Sequence, residues 1–282
     1  MKIIVPSTQR ADRQHTIQQL RMGGISLRYK CFLAVPLNEC SDYQVLSEFG
    51  CLPLDCTGIN NVRQWIIEHC NDDKVLMIDD DLSFFRRTSI EDFELHQATG
   101  EQILEIMQWI DNKLDDYAHV SISARTQNFQ TTSRILRHNS LELEVVRPWR
   151  IYGFRKDIIL GEQLDFHAGL KINTMDDFHM TLQLLELGYP NLVWFQYAHE
   201  QRGSNNAGGA STYRDLELLK TCAENLKAKH PPGIVETVLR ETISSWGASK
   251  EEPVYRTDVR VQWMKALGIR AKESKLQQVA NR

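Results

Sequence analysis

The feature that most constrains this chain is a run of three aspartates, Asp79, Asp80 and Asp81, directly after the apolar segment 75–78. A continuous apolar run is typical of a strand that is covered on both faces. Carboxylates placed side by side repel one another, which raises their pKa values unless a cation lies among them. In open α/β sheets, ligands bind at the carboxyl ends of the strands. The pattern therefore predicts a Mg²⁺ or Mn²⁺ site at a strand end, because these ions prefer oxygen ligands; an acidic surface turn is the alternative.

Strands and helices alternate along most of the chain, which predicts an α/β fold with a mostly parallel sheet flanked by helices. The predicted strands cover residues 2–6, 31–35, 75–78, 119–123, 149–154 and 191–197. The predicted helices cover residues 12–22, 58–70, 101–117, about 173–187, 213–229 and 234–246. The arginine-bearing segment that runs to about residue 140 has little apolar periodicity, so we predict a loop or an edge hairpin there. The Gly-, Asn- and Ser-rich segment 201–211 is predicted to be a mobile loop.

Length and composition place the chain among ordinary globular proteins. It has 282 residues, of which 42% are hydrophobic and 25% charged, enough for one decorated α/β domain or two small domains. No stretch approaches the roughly 20 apolar residues of a membrane span, and the first residues read as a strand rather than as a leader. The six cysteines form no C-x-x-C pair and show no zinc spacing, which favours buried thiols in a reducing compartment. We therefore expect a cytoplasmic protein without membrane contact.

Charge is unevenly distributed along the chain. The net charge is −4, yet residues 256–282 hold seven Lys or Arg against two acidic residues, and residues 125–150 hold five Arg against two Glu. Such stretches can contact a polyanion, but solvated surface faces have the same composition. The acidic total favours solvated faces unless another feature indicates a nucleic-acid partner.

A second acidic feature lies about a hundred residues after the first. Asp176 and Asp177 are at the start of the predicted helix that ends before Gly188. One of these carboxylates can cap the helix and interact favourably with its dipole, and this purely structural role is common. In the functional interpretation, Asp177 is a general base that removes a proton from an attacking hydroxyl group.

Two further positions are candidates for ligand binding. His199 follows a predicted strand and precedes the Gly-rich loop, where it can serve as a third metal ligand or simply as an ordinary histidine. The turn at Gly58 leads into a helix that carries Asn61 and Arg63. A helix N-terminus offers N–H groups to phosphate, and Arg63 adds a positive charge; a plain turn with a helical arginine explains the pattern equally well.

Taken in order, these segments resemble nucleotide-sugar-dependent glycosyltransferases of the GT-A type, over about residues 1 to 215. The resemblance is carried by the first strand with Val5 to Thr8, the Asn61-Val62-Arg63 helix, the three aspartates 79–81, the Asp176-Asp177 helix and His199. It implies a GT-A-like catalytic domain over 1–212, followed by a helical, basic-ended extension over 213–282. It implies a nucleotide-sugar donor, which in this family is commonly a UDP-sugar. The residues expected near the donor are Thr8, Arg10, Asn61, Arg63, Asp79 and Asp80. It also implies Mn²⁺ or Mg²⁺ on Asp79, Asp81 and His199, and catalysis by Asp177 with Asp176 beside it.

Three shorter motifs narrow the resemblance. Arg63-Gln-Trp-Ile, Met175-Asp-Asp-Phe and Gly208-Gly-Ala-Ser-Thr-Tyr-Arg214 are similar to segments of the viral glycosyltransferases associated with TET/JBP-type DNA oxygenases. This similarity implies a bacteriophage source and a 5-hydroxymethylated pyrimidine in DNA as the acceptor, flipped out of the stack for reaction. Residues expected on the acceptor side are Arg125, Arg134, Arg137, Trp149, Arg214 and the tail from Arg256. The loop at Gly208-Gly209 is expected to close over the donor or the acceptor.

The chemistry of the donor suggests a mechanism. Its leaving group is a diphosphate, so the metal would neutralise growing negative charge, while the sugar passes through an oxocarbenium-like state. With one carboxylate base and no evident protein nucleophile, we expect single displacement with inversion.

Alternative functions remain open at this level. The same transfer can be directed to a glycan, a lipid or a protein. A metal-dependent nuclease or phosphohydrolase uses similar aspartates to hold two ions. A non-catalytic module that binds nucleotide-sugar or DNA is the third alternative. The oligomeric state cannot be read from these residues.

Overall fold

The architecture follows from a computed structural model, which describes residues 1–46, 48–91, 94–167, 174–201, 214–242 and 254–270. The strands are β1 (Lys2–Pro6), β2 (Lys30–Pro36), β3 (Gly50–Leu54), β4 (Lys74–Ile78), β5 (Leu82–Arg87), β6 (Leu95–Gln97), β7 (His119–Ala124), β8 (Glu142–Glu144), β9 (Ile151–Arg155), β10 (Leu192–Gln201), β11 (Val235–Thr242) and β12 (Val254–Val261). The helices are α1 (His15–Met22), α2 (Ile59–His69), α3 (Gly100–Lys113), α4 (Arg125–Gln130), α5 (Thr132–His138), α6 (Lys156–Gly161), α7 (Asp176–Leu187), α8 (Leu216–Lys229) and α9 (Trp263–Ala266). The loop predicted at 201–211, including Gly208 and Gly209, lies almost wholly outside the described residues.

One large sheet organises the molecule. Its strand order is β3-β2-β1-β4-β9-β7-β10-β5-β6, with β8 paired to β10. Strands β1 to β4, β6, β7 and β10 point in one direction, and β5, β8 and β9 in the other. This is the mixed, mostly parallel sheet flanked by helices that the GT-A resemblance implied. The carboxyl ends of β1, β4, β7 and β10 consequently meet at one edge of the sheet.

The sheet is buried on both faces. Alternate residues of β1 and β4 contribute to two apolar clusters, since successive side chains of a strand point to opposite faces. One cluster packs against α1 and α3. The apolar face predicted for the α3 segment is wholly buried: Ile103, Met107, Ile110 and Leu114. The other packs against α2, α6 and α7. The apolar run before the three aspartates is thus a central strand, as predicted.

The arginine-bearing segment after β7 is helical, so the prediction of a loop or hairpin was wrong. Its helices α4 and α5 show little apolar periodicity because polar contacts hold them in place. The Asn128 amide donates to Ser123 Oγ at 2.8 Å and to the Phe195 carbonyl at 2.9 Å, and the Gln127 amide donates to the Arg147 carbonyl at 2.7 Å. Buried amides with full hydrogen bonding replace the apolar stripe that the prediction required.

The part of the chain after residue 213 is not wholly helical, which corrects the second helix predicted there. Helix α8 forms as predicted, but residues 235–242 form β11, which pairs antiparallel with β12. The β-branched residues of this segment favour a strand. The C-terminal unit, defined here as residues 214–242 and 254–270, packs on α7 through the cluster of Phe178, Leu182, Leu185, Leu226 and Ala266. Among the helices described, none is long and apolar enough to cross a membrane.

Candidate active site

The three aspartates lie at the carboxyl end of β4, with their backbone fixed on both sides. The Asp79 N–H donates to the Arg150 carbonyl at 3.0 Å, and the Asp80 carbonyl accepts from the Thr16 N–H at 3.0 Å. The first contact joins the run to the segment before β9, and the second joins it to α1. The position of the acidic run therefore depends on β4, on the segment before β9 and on α1, three separate parts of the chain.

Arg10 neutralises two of these aspartates. Its Nη1 lies 2.7 Å from Asp80 Oδ1 and 3.1 Å from Asp81 Oδ2. Ser7 Oγ donates to Asp80 Oδ2 at 2.5 Å, and the Gln201 amide donates to Asp81 Oδ2 at 2.7 Å. Burial raises the pKa of Asp80, whereas Arg10 and Ser7 act in the opposite direction. Arg10, predicted to contact the donor, is here a partner of the acidic run.

Arg63 joins the acidic run to the start of α7. Its Nη2 lies 3.1 Å from Asp79 Oδ1, its Nη1 bonds to Asp176 Oδ2, and its guanidinium lies 4.5 Å from the Tyr152 ring centroid. The side chain is only 6% exposed. Burial raises the pKa of Asp79 to about 6 and also raises that of Asp176, while Arg63 opposes both shifts. Arg63 was predicted to lie beside the donor phosphates, but the structure places its guanidinium inside the protein on two carboxylates.

The two adjacent aspartates of α7 have different surroundings. Asp176 is 4% exposed and forms an ion pair with Arg63, so it stabilises the start of α7 from inside the protein. It does not cap the helix, because α7 begins after Met175 without a side-chain cap. Asp177 is 12% exposed, and Arg147 Nη2 lies 3.0 Å from its Oδ2. Of the pair, Asp177 is the carboxylate that a substrate can reach.

His199 lies in β10 two residues before Gln201, and the two side chains share one face of the strand. Its ring is fully buried, and neither nitrogen has a partner within hydrogen-bond geometry, although the Trp149 backbone lies close. Burial lowers the pKa of His199 to about 3, helped by the charge of Arg150, so the ring is neutral. A neutral imidazole is the form that binds metal ions.

The side chains fit a divalent cation in chemistry but are not assembled around one. Asp81 Oδ1 is buried without a partner, like both nitrogens of His199, and Asp79 is 29% exposed. These are the atom types that hold Mg²⁺ or Mn²⁺. Within the described part of the chain, however, no group of three His, Cys, Asp or Glu side chains stands close enough to hold an ion. Binding would therefore require movement, starting with Arg10 and Gln201 on Asp81.

A cavity of about 210 Å³ opens beside His199, between the ends of β7 and β10. Its lining is mostly polar and includes the ion pair of Arg125 with Glu200, 2.7 Å apart. The lining residues are Ala124, Arg125, Thr126, Trp149, Arg150, His199, Glu200 and Gln201. The cavity therefore brings Arg125 and Trp149, predicted on the acceptor side, next to His199, predicted as a metal ligand.

Other predicted residues lie outside this cluster. Thr8 donates to Glu39 at 2.8 Å, and the exposed Asn61 donates to the Thr57 carbonyl at 2.7 Å. Arg134 donates to the Glu144 carbonyl at 2.7 Å, whereas Arg137 is exposed and Arg214 half-buried.

The basic tail is also less available than its composition suggested. Arg256 pairs with Asp258, Arg260 lies 4.0 Å from Glu236, and Arg270 lies 2.7 Å from the buried Glu186. Lys272, Lys275 and Arg282 lie outside the described residues.

Sequence reasoning missed several residues that shape the site. Ser7, Arg147, Arg150 and Gln201 all contact or closely approach the predicted residues. Arg147 and Arg150 were counted only as surface charge. The available signal was their spacing around Trp149, since arginine and aromatic residues commonly stack.

Comparison with known proteins shows the family to which the chain belongs. Residues 1–209 match the family described as TET-associated glycosyltransferase. Two curated relatives, from Enterobacteria phages T2 and T6, both bear the name beta-glucosyl-HMC-alpha-glucosyl-transferase. Each is 26% identical over 188 residues, which cover 64% of this chain and 64% of the relative. The match thus spans a little under two thirds of the relatives' own length.

Similar solved structures are more distant. Glucosyl-3-phosphoglycerate synthase from Mycobacterium tuberculosis is 12% identical, with 94% of this chain and 89% of that chain covered and a TM-score of 0.48. Residues 1–349 of TarS from S. aureus are 12% identical, with 80% and 66% covered and a TM-score of 0.45.

Proposed function

The chain belongs to the family of TET-associated glycosyltransferases, and on this premise we propose that it transfers a sugar from a nucleotide-sugar to DNA. The proposed acceptor is the hydroxyl group of a 5-hydroxymethylated pyrimidine, and UDP-sugar is the proposed donor. The name of the phage relatives includes HMC, hydroxymethylcytosine, which supports this acceptor class. We further propose that the protein acts in the cytoplasm of a phage-infected cell.

One observation carries the proposal. The acidic run after β4 and the first turn of α7 lie at the same edge of the sheet, joined by a single buried guanidinium. This arrangement supports the proposal of a binding site for a diphosphate and its cation close to the carboxylate of Asp177.

In the proposed reaction, Asp177 is the general base. The oxygen of the acceptor hydroxyl attacks C1 of the sugar as the bond between C1 and the diphosphate oxygen breaks, and the electron pair leaves with the diphosphate. Asp177 takes the hydroxyl proton. This single displacement inverts the configuration at C1, so the anomeric configuration of the product, measured by NMR, tests it. A product that retains the donor configuration would exclude Asp177 as a simple base in one displacement.

The proposed metal ligands are Asp79, Asp81 and His199, whose carboxylate oxygens and neutral imidazole are suitable in chemistry. A divalent cation held there would supply positive charge to the diphosphate leaving group. If a cation were held by Asp81, it would replace the charge of Arg10 at this carboxylate, and Arg10 would be the residue to contact the donor.

The acceptor side is proposed around the cavity next to His199. Trp149 offers a flat aromatic surface against which a flipped base can stack. Arg125 pairs with Glu200 at 2.7 Å and would have to exchange this partner for a phosphate group. Arg137, exposed on α5, is a second candidate for backbone contact, whereas Arg134 is engaged with the Glu144 carbonyl. Glycan, lipid and protein acceptors remain the alternative outcome of the test.

The deciding experiment is nucleoside mass spectrometry. DNA containing 5-hydroxymethylcytosine is incubated with the protein, Mn²⁺ and a panel of nucleotide sugars, then digested. We expect one nucleoside to gain the mass of one sugar, with one donor, and we expect EDTA to abolish the gain. Asp177→Asn should remove the gain while leaving donor binding nearly intact. Donor hydrolysis without mass gain would discard the DNA acceptor, and DNA cleavage without any donor would discard the glycosyltransferase.

A further inference from the structure

We propose that Arg147 is the positioning residue of Asp177: it fixes the direction in which this carboxylate faces the acceptor. The inference rests on the proposed function, because it assumes that Asp177 is the base. It adds a residue that neither the family match nor the sequence motifs assign to the reaction.

The contact itself is a half-buried ion pair. Arg147 Nη2 lies 3.0 Å from Asp177 Oδ2, with side-chain exposures of 26% and 12%. Arg147 Nε is buried and has no hydrogen-bond partner. The guanidinium is therefore held by this ion pair and by the aromatic rings that stack on its flat faces. A charge-assisted bond to one carboxylate oxygen restricts rotation of the group.

Two aromatic rings hold the guanidinium in place. Its central carbon lies 3.5 Å from the centroid of the Phe178 ring and 4.3 Å from that of Trp149. Cations at such distances from a ring face are attracted to it, and arginine also stacks through its planar group. Phe178 follows Asp177 directly in α7, so the ring and the carboxylate move together. Lysine keeps the charge but cannot stack in this way.

The segment that carries Arg147 is itself tightly held. Val145 and Arg150 both adopt left-handed backbone conformations, each with φ of +55°. Such conformations are unfavourable for residues with a side chain, and above all for a β-branched valine. Three hydrogen bonds keep the segment in place: Val145 N–H to the Asn191 carbonyl, Asn191 Nδ2 to the Val146 carbonyl, and Gln127 Nε2 to the Arg147 carbonyl. Strained backbone that the surroundings enforce is typical of functional positions.

The support for this arrangement extends into the C-terminal unit. Trp263 of α9 stacks on Phe178, with ring centroids 5.8 Å apart and planes inclined by 16°. Trp263 lies beyond residues 1–209, the part matched by the family. The chain of contacts therefore runs from Trp263 to Phe178, then to Arg147 and finally to Asp177. The C-terminal unit thus helps to hold the proposed base.

Kinetics of three variants test the proposal: Arg147→Gln, Arg147→Lys and Arg147→Ala. For Arg147→Gln we expect kcat to fall by about 100-fold, since a misplaced group can cost this much, while donor KM and Kd change less than about twofold. Arg147→Lys should recover part of kcat, and millimolar guanidinium should partly rescue Arg147→Ala. The matched control is Arg155→Gln, because Arg155 has a similar exposure and an ion pair with Asp157 away from the site.

Several outcomes would overturn the proposal. An unchanged kcat, or a raised donor Kd at constant kcat, would make Arg147 dispensable or a donor ligand. A loss of kcat that neither lysine nor guanidinium restores, together with a lowered Tm, would make its role merely structural. A readout independent of activity is the Tm of Arg147→Gln, Asp177→Asn and the double variant, where non-additive shifts are expected and additive shifts would refute the contact. If the wild-type protein transfers no sugar, the proposed function has failed, whatever the thermal cycle shows.

Discussion

At the scale of single residues, the site is a set of carboxylates each compensated by arginine. Arg10 forms ion pairs with Asp80 and Asp81, and Arg63 forms ion pairs with Asp79 and Asp176. Arg147 pairs with Asp177. A buried carboxylate without a partner is costly, so the acidic run can be buried only because these cations come with it. Arg63 is the most buried of the three and has two carboxylates to hold.

Replacement of Arg63 should therefore be strongly destabilising. Arg63→Met leaves the buried Asp176 and the partly exposed Asp79 without their cation, and the loss of one partner from a buried pair costs about 3–5 kcal/mol. The double variant Arg63→Met with Asp176→Asn should recover part of this, since one of the two charges is removed. Urea unfolding at pH 7 measures each free energy of unfolding. Arg155→Met, which breaks an exposed pair, should change it by less than about 1 kcal/mol; an equal loss in both single variants would contradict the argument.

At the scale of elements, β7 is a buried strand that carries polar residues on one face. His119, Ser121 and Ser123 are all buried, and each bonds to a backbone carbonyl of a neighbouring strand. The His119 Nδ1–H donates to the Gly153 carbonyl at 2.9 Å, and the ring stacks on Phe154 with centroids 4.2 Å apart. Burial lowers the pKa of His119 to about 4, so the ring is neutral in the folded protein.

This histidine should make stability depend on pH. Between pH 6.5, the ordinary histidine pKa, and pH 4, His119 is protonated in the unfolded chain but stays neutral in the folded protein. His119 therefore lowers the free energy of unfolding by about 1.4 kcal/mol for each pH unit that the pH falls in this window. Above pH 6.5 the effect vanishes. Asp79, whose pKa is raised to about 6, acts in the opposite direction, so only a comparison between variants isolates the histidine.

The comparison is between the wild-type protein and His119→Gln, whose amide can still donate a hydrogen bond. Urea unfolding at pH 4.5, 5.5 and 6.5 should give a slope smaller by about 1.4 kcal/mol per pH unit in the variant. The exposed His138→Gln is the control and should keep the wild-type slope. Parallel slopes for wild type and His119→Gln would show that folding does not lower the pKa of this ring.

At the scale of the whole molecule, the C-terminal unit is attached to α7 by a buried polar network as well as by apolar packing. Glu186 is fully buried, with His230 Nδ1 2.6 Å from its Oε1 and Arg270 Nε 2.7 Å from its Oε2. His230 Nε2 lies 2.9 Å from His179 Nδ1 on the same helix α7. The network joins three distant parts of the chain on the helix that begins with the proposed base.

Loss of Glu186 should loosen this attachment. Glu186→Ala leaves His230 and Arg270 without their acceptor, at a cost of about 3–5 kcal/mol for a buried pair. Limited trypsin digestion should then cut the C-terminal unit sooner, at sites such as Arg256, Arg260 and Lys265, while a core fragment persists. Glu224→Ala, an exposed change on α8, should digest at the wild-type rate. Identical digestion of both variants would mean that the apolar cluster alone holds the unit.

The sequence alone determined the central strands of the large sheet and the two acidic positions, but not the strands β3, β5, β6 and β8. The apolar run before Asp79, the periodicity of α3 and the end of α7 at Gly188 are local patterns, and local patterns report burial and helix ends directly. Only the tertiary structure decided which side chains meet. Arg63 was predicted to lie beside the donor phosphates, yet it is buried, because two carboxylates from elsewhere in the chain neutralise it. The strand β11 was predicted as a helix, because its pairing with β12 cannot be read from the spacing of apolar residues within the segment. Helices α4 and α5 were predicted as loop, because hydrogen bonds to distant carbonyls produce no apolar periodicity.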